Sequence, residues 1–346
     1  MGIPVQSTGQ SPGQSDDPPA FFGMVTRDPG LTRVFRIVEK AAQSQASVLL
    51  RGETGTGKEL LATALHQLSP RQHGPFHAIS CAALPASLLE SELFGHVRGA
   101  FTGAVRDNPG HFRLANKGSL FLDEVAEMPM EVQAKLLRVL ETHTVIPVGG
   151  QEPISVDVRI IAATHKALRG EVEAGRFRAD LMYRLRVVPI FIPALRERVC
   201  DILLLTQRFI RELNQRSARQ IAEISSAAAE VLLAHDWPGN IRELRNVIEY
   251  AFVIGEGPVL DVSDLPPELS GSPLPSPPAA VTRAASARPF PVRTVESAKE
   301  DERNRIAEAL QAASGHAGQA ATLLGMSRST LWRRMKQLGI AGRRTR

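Results

Sequence analysis

The run Ala46-Ser47-Val48-Leu49-Leu50-Arg51-Gly52-Glu53-Thr54-Gly55-Thr56-Gly57-Lys58-Glu59-Leu60-Leu61 decides how the rest of the chain is read. Residues 46–50 are a short apolar stretch, and Leu60, Leu61, Ala64, Leu65 and Leu68 recur at helical spacing. Strand, glycine-rich loop and helix is the context in which such a loop cradles phosphate. The glycines let backbone N–H groups turn inward, the helix start adds a positive dipole end, and Lys58 brings a full charge to the β/γ oxygens. Gly52, Glu53, Thr54, Gly55, Thr56, Gly57, Lys58 and Glu59 are thus candidate nucleotide-binding residues, with ATP as substrate and Mg²⁺ as its companion. Glu59 is irregular, because a Ser or Thr hydroxyl normally follows the lysine to meet Mg²⁺. Taken alone, the loop also reads as a flexible turn with a solvated lysine.

Downstream, short apolar runs alternate with helical periodicity. Strands are expected at 76–82, 118–122, 156–163 and 187–192, and helices at 31–42, 84–94 and 131–141. That alternation argues for a parallel sheet with helices on both faces. The run Gly118-Ser119-Leu120-Phe121-Leu122-Asp123-Glu124 ends in two carboxylates, about 65 residues after Lys58. Ligands of open α/β sheets sit outside the carboxyl ends of the strands, so the two motifs should face one crevice. There Asp123 would hold Mg²⁺, directly or through water, and Glu124 would polarise the attacking water. From residue 201 to 254 the periodicity is purely helical, which predicts a small helical subdomain.

At 346 residues the chain can hold two or three domains. No apolar run approaches the roughly 20 residues of a membrane span, and the N-terminus lacks a basic-then-apolar signal pattern. Cys81 and Cys200 make neither a metal spacing nor a disulfide framework. These features point to a cytoplasmic protein. Met1–Ala20 is rich in Gly, Ser, Pro, Gln and Asp and reads as an unfolded leader. Residues 266–291 are crowded with Pro, Ser and Ala and read as a linker.

The end of the chain is basic. Residues 327–346 hold seven Lys or Arg and no Asp or Glu, a charge distribution suited to nucleic acid. A helix at 301–312 breaks at Ser314-Gly315, a second spans 316–324 and closes at Gly325, and Ser327 can cap a third. Leu331, Met335 and Leu338 fall inside. Helix, turn and basic helix form a helix-turn-helix DNA reader, although three short helices also suit a dimerisation bundle. Arg328, Ser329, Thr330, Arg333, Arg334 and Lys336 face outward, the first two placed for base edges and the later cations for phosphates. Trp332, next to Leu331, is expected to pack inward.

Residues 22–269 resemble the AAA+ domain of the sigma-54-dependent transcription activators, the NtrC-type enhancer-binding proteins. The resemblance rests on Gly52–Glu59, Ser91-Glu92-Leu93-Phe94-Gly95-His96, Gly99-Ala100-Phe101-Thr102-Gly103-Ala104 and Leu120–Val125. It continues through Phe177-Arg178-Ala179-Asp180-Leu181, Leu195-Arg196-Glu197-Arg198 and Trp237-Pro238-Gly239-Asn240-Ile241-Arg242-Glu243-Leu244. In that family Glu after the lysine is the norm. The last segment is similar to the Fis-type helix-turn-helix that closes the family.

The resemblance implies roles. Thr164 and His165 fall at the sensor I position near the γ-phosphate, and Arg242 at sensor II. Arg178 and Arg184 match candidate arginine fingers that reach a neighbouring subunit, which implies a homo-oligomer, a dimer rising to a hexameric ring. Without the family, these arginines read as surface ion pairs. Gly99–Ala104 implies the tip that touches sigma-54, whereas by bare chemistry it is a mobile loop or one with Phe101 tucked into the core. A second loop, 142–153, should sit beside it. Two positions depart from the family. Ser80 stands where an Asn often holds the catalytic glutamate, which implies a weaker hold and faster basal ATP turnover. Val97 stands where an acidic residue is common.

The expected fold class is α/β: an AAA+ parallel sheet flanked by helices with an α-helical lid, plus a C-terminal all-α helix-turn-helix domain. The expected boundaries are leader 1–20, α/β ATPase 21–195, lid 196–265, linker 266–295 and DNA-binding domain 296–346. The implied function is an ATP-driven activator that binds enhancer DNA and remodels the sigma-54 RNA polymerase closed complex, with no membrane partner. About twenty leader residues are too few for a receiver or sensory domain. Two other classes share parts of this pattern. A regulator of ordinary promoters would lack the intact hexapeptide, and a chaperone-type remodeller would lack the terminal DNA reader.

Overall fold

A computed structural model describes residues 3–4, 18, 20–270, 295–313 and 316–338. Most of the expected leader and linker, and the helix break at Ser314-Gly315, lie outside the described residues. The chain divides into two compact units, residues 1–274 and 275–346.

The first unit is built on five strands: β1 (Val48–Arg51), β2 (Phe76–Ser80), β3 (Ser119–Asp123), β4 (Arg159–Thr164) and β5 (Val188–Phe191). Their order is β2-β3-β4-β1-β5, with every neighbouring pair parallel. The register sets Leu50 opposite Ala163 and Ser80 opposite Asp123, so the carboxyl ends of the strands line up. Alternate residues serve opposite faces. Val48 and Leu50 pack with Phe121, Ile161 and Ile190 beneath α1 (Pro29–Ala42) and α2 (Lys58–Gln67). Leu49, Leu120, Leu122 and Ile160 pack beneath α3 (Ala86–Phe94), α4 (Met130–Thr142) and α5 (Ala179–Leu185). Both faces are covered, so the strands read as continuous apolar runs rather than alternating ones. Helix α1 starts where Pro29 fixes the first turn and the Asp28 side chain accepts from Leu31 N–H at 2.7 Å.

The strand expected at 156–163 begins three residues later, at Arg159. Val156 and Asp157 donate instead to the His143 carbonyl and the Asn116 side chain, outside the ladder. Arg159 itself is buried, and its guanidinium donates to the carbonyls of Ala42 at 2.9 Å and Ala41 at 2.7 Å. It thereby caps the end of α1. Burial pulls its pKa down to about 10.

The helical part of this unit comprises α6 (Cys200–Asn214), α7 (Ser226–Ala234) and α8 (Asn240–Ile254). Ile202, Leu205, Leu232, Leu244 and Ile248 close around the fully buried Trp237, whose indole N–H donates to the Leu232 carbonyl at 2.9 Å. Asp201, also fully buried, fastens α6 to the α/β part by accepting from Thr26 Oγ1 (2.6 Å) and Arg27 N (2.7 Å). The leader departs from an unfolded segment at two residues. Ile3–Pro4 pairs antiparallel with Glu223–Ile224, and Ile3 packs on the helical core. One large apolar side chain beside an open strand edge is enough to account for it.

In the second unit α9 (Val295–Ala312), α10 (Ala317–Leu323) and α11 (Arg328–Gln337) enclose Ile306, Ala309, Ala320, Leu331 and Met335. Gly325 turns the chain at φ 64°, and Ser327 caps α11 by accepting from Thr330 N at 3.2 Å. Leu338 lies half-buried against that core. Trp332 differs from expectation: it is 67% exposed. Neighbours on a helix point about 100° apart, so Leu331 can be buried while Trp332 is turned outward.

Candidate functional site

The phosphate loop leaves the end of β1 and enters α2 through two glycines in the left-handed region, Gly55 at φ 80° and Gly57 at φ 101°. Thr56 is buried, its hydroxyl donating to the Glu53 carbonyl at 2.8 Å, so the loop is tied across itself. Lys58 is buried as well. Its Nζ donates to the Gly52 carbonyl (3.0 Å), the Glu53 carbonyl (3.4 Å) and Glu124 Oε1 (3.1 Å). Glu59 is exposed at the rim.

Asp123 ends β3, and Glu124 follows it with φ 51°. That left-handed turn carries the glutamate out of the strand line and toward the loop. Burial alone would raise the Glu124 carboxyl. The His165 hydrogen bond and the charge and bond of Lys58 outweigh it and bring the pKa below the ordinary value, so Glu124 is a carboxylate. Burial and the adjacent Glu124 charge push Asp123 the other way, above the usual range, with Lys58 opposing. A half-buried carboxyl with its charged form disfavoured is stabilised by a hard cation, and its oxygen donors suit Mg²⁺. Among the described residues, no group of three or more His, Cys, Asp or Glu is placed to hold a metal ion. Cys81, behind the two acids, is pushed up to about 12 by burial and their charges and is inert as a nucleophile.

The two motifs share a cleft of about 610 Å³, lined by Thr54, Gly55, Gly57, Lys58, Glu59, Asp123, Glu124, His165 and Arg242. Loop and acid pair therefore meet as the strand order requires. The remaining walls were not anticipated from sequence: Met24 and Val25 before α1, Leu205, Arg208 and Phe209 on α6, Ile241 and Arg245 on α8. Arg245 lies over the Phe209 ring at 5.5 Å. An apolar end with one aromatic and a charged end with lysine and carboxylates suit a nucleotide, base at one end and phosphates at the other. The signal available was the amphipathic face of α6, but nothing local says which core that face covers.

Several expected residues are placed differently from one another. The Glu53 side chain turns from the cleft to Arg196 Nη1 (2.8 Å) and Asn240 Nδ2 (3.1 Å), and these hydrogen bonds hold its pKa down to about 2. Thr164 is buried, its hydroxyl accepting from Lys166 N at 3.0 Å, so His165 is the side chain of that pair that faces the cleft. Arg178 and Arg184 do not line it. Arg178 pairs with Asp180 (2.8 Å), and Arg184 donates to the Leu140 carbonyl (3.0 Å) beside a separate cavity of about 250 Å³. Ser80, paired with Asp123 in the ladder, makes no side-chain hydrogen bond to Glu124, which is held by His165 and Lys58.

The lid reaches the loop through Asn240. Its Nδ2 donates to the Thr54 carbonyl (3.1 Å), its Oδ1 accepts from Leu195 N (2.8 Å), and Ile241 N donates to the Gly55 carbonyl (3.1 Å). A Cβ on Gly55 would stand 2.2 Å from the Gly239 carbonyl oxygen. Glycine is needed there for close approach as well as for φ.

Gly99-Ala100-Phe101-Thr102-Gly103-Ala104 forms an exposed turn, with Gly99 at φ 81° and Gly103 at φ 109°. Phe101 is 44% exposed and meets the His96 ring edge-on at 5.0 Å; Thr102 is exposed and Ala104 is buried. The second loop does lie alongside: Val97 N donates to the Val148 carbonyl, and Gly149 packs against Ala100 and Val97. In the second unit Arg328, Ser329, Thr330, Arg333 and Arg334 are exposed along α11, and the side chain of Lys336 lies outside the described residues. No helix among the described residues is long and apolar enough to cross a membrane.

Residues 24–191 match the family described as Sigma-54 interaction domain, residues 196–281 the AAA+ ATPase lid domain, and residues 298–338 the bacterial regulatory protein, Fis family. The chain is 44% identical to the regulatory protein AtoC of Escherichia coli K12 over 92% of its own length and 68% of that protein. It is 46% identical to the DNA-binding transcriptional activator HyfR of the same organism, over 88% of its own length and 46% of that protein. Among solved structures, NtrX from Brucella abortus in complex with ATP superposes with a TM-score of 0.66 at 33% identity, over 91% of this chain and 69% of that one. The chain thus spans roughly half to two thirds of the length of these relatives.

Proposed function

The chain belongs to the sigma-54 interaction domain family of AAA+ transcription regulators, and from that premise we propose that it is an ATP-driven activator of sigma-54 RNA polymerase bound to enhancer DNA. The observation that carries the proposal is the conjunction of a complete phosphate cleft with the exposed Phe101–Thr102 turn on the same sheet unit.

ATP binds with its phosphates on the Gly52–Glu59 loop and its base against Val25, Phe209 and Ile241. Asp123 would hold Mg²⁺, directly or through water, and the ion would neutralise phosphate charge. Glu124 orients and deprotonates the attacking water. Arg242 follows nucleotide state from the lid. Arg178 and Arg184 lie off their own cleft and serve a neighbour's, so the working form is a homo-oligomer, a dimer rising to a hexameric ring. An arginine supplied in this way is worth about 10³–10⁵ in rate in the GTPase cases. Gly99–Ala104, braced by the 142–153 loop, contacts sigma-54 through Phe101 and Thr102 and moves with the cycle. Arg328, Ser329, Thr330, Arg333, Arg334 and Lys336 meet DNA, and cytoplasm is where these partners are found. The functional segments are the ATPase at 21–195, the lid at 196–265, the linker at 266–295 and the DNA reader at 296–346.

The test is open-complex formation by sigma-54 holoenzyme on supercoiled DNA with ATP. Wild-type protein should open the promoter. Thr102→Ala should abolish opening while ATP turnover persists, and Glu124→Gln should abolish both. Opening that survives Thr102→Ala overturns the proposed contact, and turnover that survives Glu124→Gln overturns the proposed chemistry.

A further inference from the structure

A cavity of about 220 Å³ lies at the carboxyl ends of β1, β4 and β5 and shares no lining residue with the ATP cleft. Strand alternation separates the two. Val48 and Leu50 face α1 and α2, whereas Leu49 and Arg51 point to the opposite side of the sheet, where Met182 of α5 packs. Leu49, Leu168 and Met182 supply a buried apolar lining, and Phe191 of β5 stands at the cavity 52% exposed.

The charged lining is wholly basic: Arg51, Lys166, Arg169 and Arg186, with no Asp or Glu. The charge on Lys166 is already matched, since its Nζ lies 2.7 Å from Glu127 Oε1. Glu171, the other acid that acts on Lys166, is taken by Arg176 at 2.8 Å. The three arginines differ. Among the described residues, the guanidinium groups of Arg51, Arg169 and Arg186 make no hydrogen bond and meet no carboxylate. Arg51 lies over the Phe191 ring at 5.7 Å, which fixes its plane without using its N–H donors. Three like charges around one small space repel, and Arg51 and Arg186 are half-buried, where water screens them less. An anion between them would turn that repulsion into attraction.

The chemistry narrows the anion. A guanidinium presents a two-pronged fork, and one carboxylate saturates one fork. Three forks call for more oxygens and more than one negative charge, which a pyrophosphate group carries. The cavity is below the roughly 300–1,000 Å³ of drug-sized ligand pockets, so it encloses a group rather than a large molecule. Going beyond the ATPase reading above, we propose that Arg51, Arg169 and Arg186 form a second anion site that binds a pyrophosphate group, free or as the end of a nucleotide whose base lies on the exposed Phe191 ring. The site abuts the phosphate loop, because Arg51 precedes Gly52 in the chain and pairs with Thr164 and Phe191 in the ladder.

The experiment uses the full chain, wild type and Arg169→Ala/Arg186→Ala, in calorimetric titrations with a non-hydrolysable ATP analogue and then with inorganic pyrophosphate at saturating analogue. Neither arginine lines the cleft, so both proteins should bind the analogue there with equal affinity, which also shows that the variant folds. If the site takes free pyrophosphate, wild type should bind one further equivalent after the analogue, at least about tenfold more tightly than the variant and more weakly as salt rises. If it takes the nucleotide-borne group, wild type should bind one more equivalent of analogue than the variant does. Arg169→Lys/Arg186→Lys, which keeps the charge and loses the fork, should restore only part of the affinity. The proposal is overturned if wild type and the alanine variant bind the same equivalents of both ligands with affinities within about twofold. It is also overturned if pyrophosphate and analogue leave the site empty while the alanine variant changes the oligomeric state, because the arginines then meet a second copy of the chain. A chain whose cleft does not bind the analogue would sink the ATPase reading, and the pyrophosphate titration would still decide this proposal by itself.

Discussion

Asn240→Ala should destabilise the first unit by about 3–5 kcal/mol, a magnitude that follows contact by contact. Asn240 is fully buried at the start of α8, at φ 53°. Its Oδ1 is the acceptor for Leu195 N, itself fully buried, and alanine leaves that N–H unpartnered at a cost of about 1–3 kcal/mol. Nδ2 donates to the Thr54 carbonyl and to Glu53 Oε2, both at 3.1 Å, and losing them costs about 1 kcal/mol more, discounted because Glu53 is partly exposed. The left-handed conformation adds about 1 kcal/mol for alanine, which asparagine tolerates. Urea unfolding followed by Trp237 fluorescence, in a Trp332→Phe background, measures the sum. Asn240→Gly separates the parts: it loses the same hydrogen bonds but not the backbone term, so it should be about 1 kcal/mol less damaging than alanine. A loss below about 1 kcal/mol for Asn240→Ala, or glycine as damaging as alanine, would refute this account of the loop–lid junction.

Three further predictions concern other parts of the molecule. Gly55→Ala, whose Cβ would meet the Gly239 carbonyl at 2.2 Å in a left-handed backbone, should weaken ATP binding by at least about tenfold, read by fluorescent-nucleotide titration. The Glu53 carboxyl, depressed to about 2 from 4.5 by Arg196 and Asn240, contributes stability that is fully present above its unfolded pKa. The gap between wild type and Glu53→Gln should therefore be constant at neutral pH and close as pH falls from 4.5 toward about 2; a gap that widens on acidification would contradict the sign. Ser327→Ala removes the cap on Thr330 N and should cost the second unit about 0.5–2 kcal/mol by thermal unfolding, whereas Ser327→Asp should retain it.

Local pattern was enough for the elements. The glycine loop between β1 and α2, the acid pair closing β3 and the apolar spacing of α4 and α8 each express a conformation through residues a few positions apart. Strand limits were less legible. Val156 and Val158 continue the apolar run of β4, yet only partners at 116 and 143 reveal that residues 156–157 leave the ladder. Among candidate site residues, Lys58, Asp123 and Glu124 meet in one cleft as their strand-end positions require. For Glu53 and Thr164, sequence position located the backbone but not the side chain, because rotamers answer to neighbours that are distant in sequence. Trp332 shows the same limit. A helical wheel places it at the border of the buried face, and packing turned it outward.

What the amino-acid order determined by itself was therefore the phosphate loop, the acid pair, the parallel α/β class, the terminal three helices and the family to which these belong. Each is written in short-range spacing, where backbone conformation and side-chain periodicity are coupled. Tertiary structure alone decided that His165, 41 residues from Glu124, takes one of its oxygens, and that Asn240, 186 residues from Thr54, ties lid to loop. It likewise turned a buried Arg159 into the cap of a helix 118 residues away. Those contacts join segments that the chain brings together only by burying its cores, and no local pattern encodes which partner a buried polar group will find.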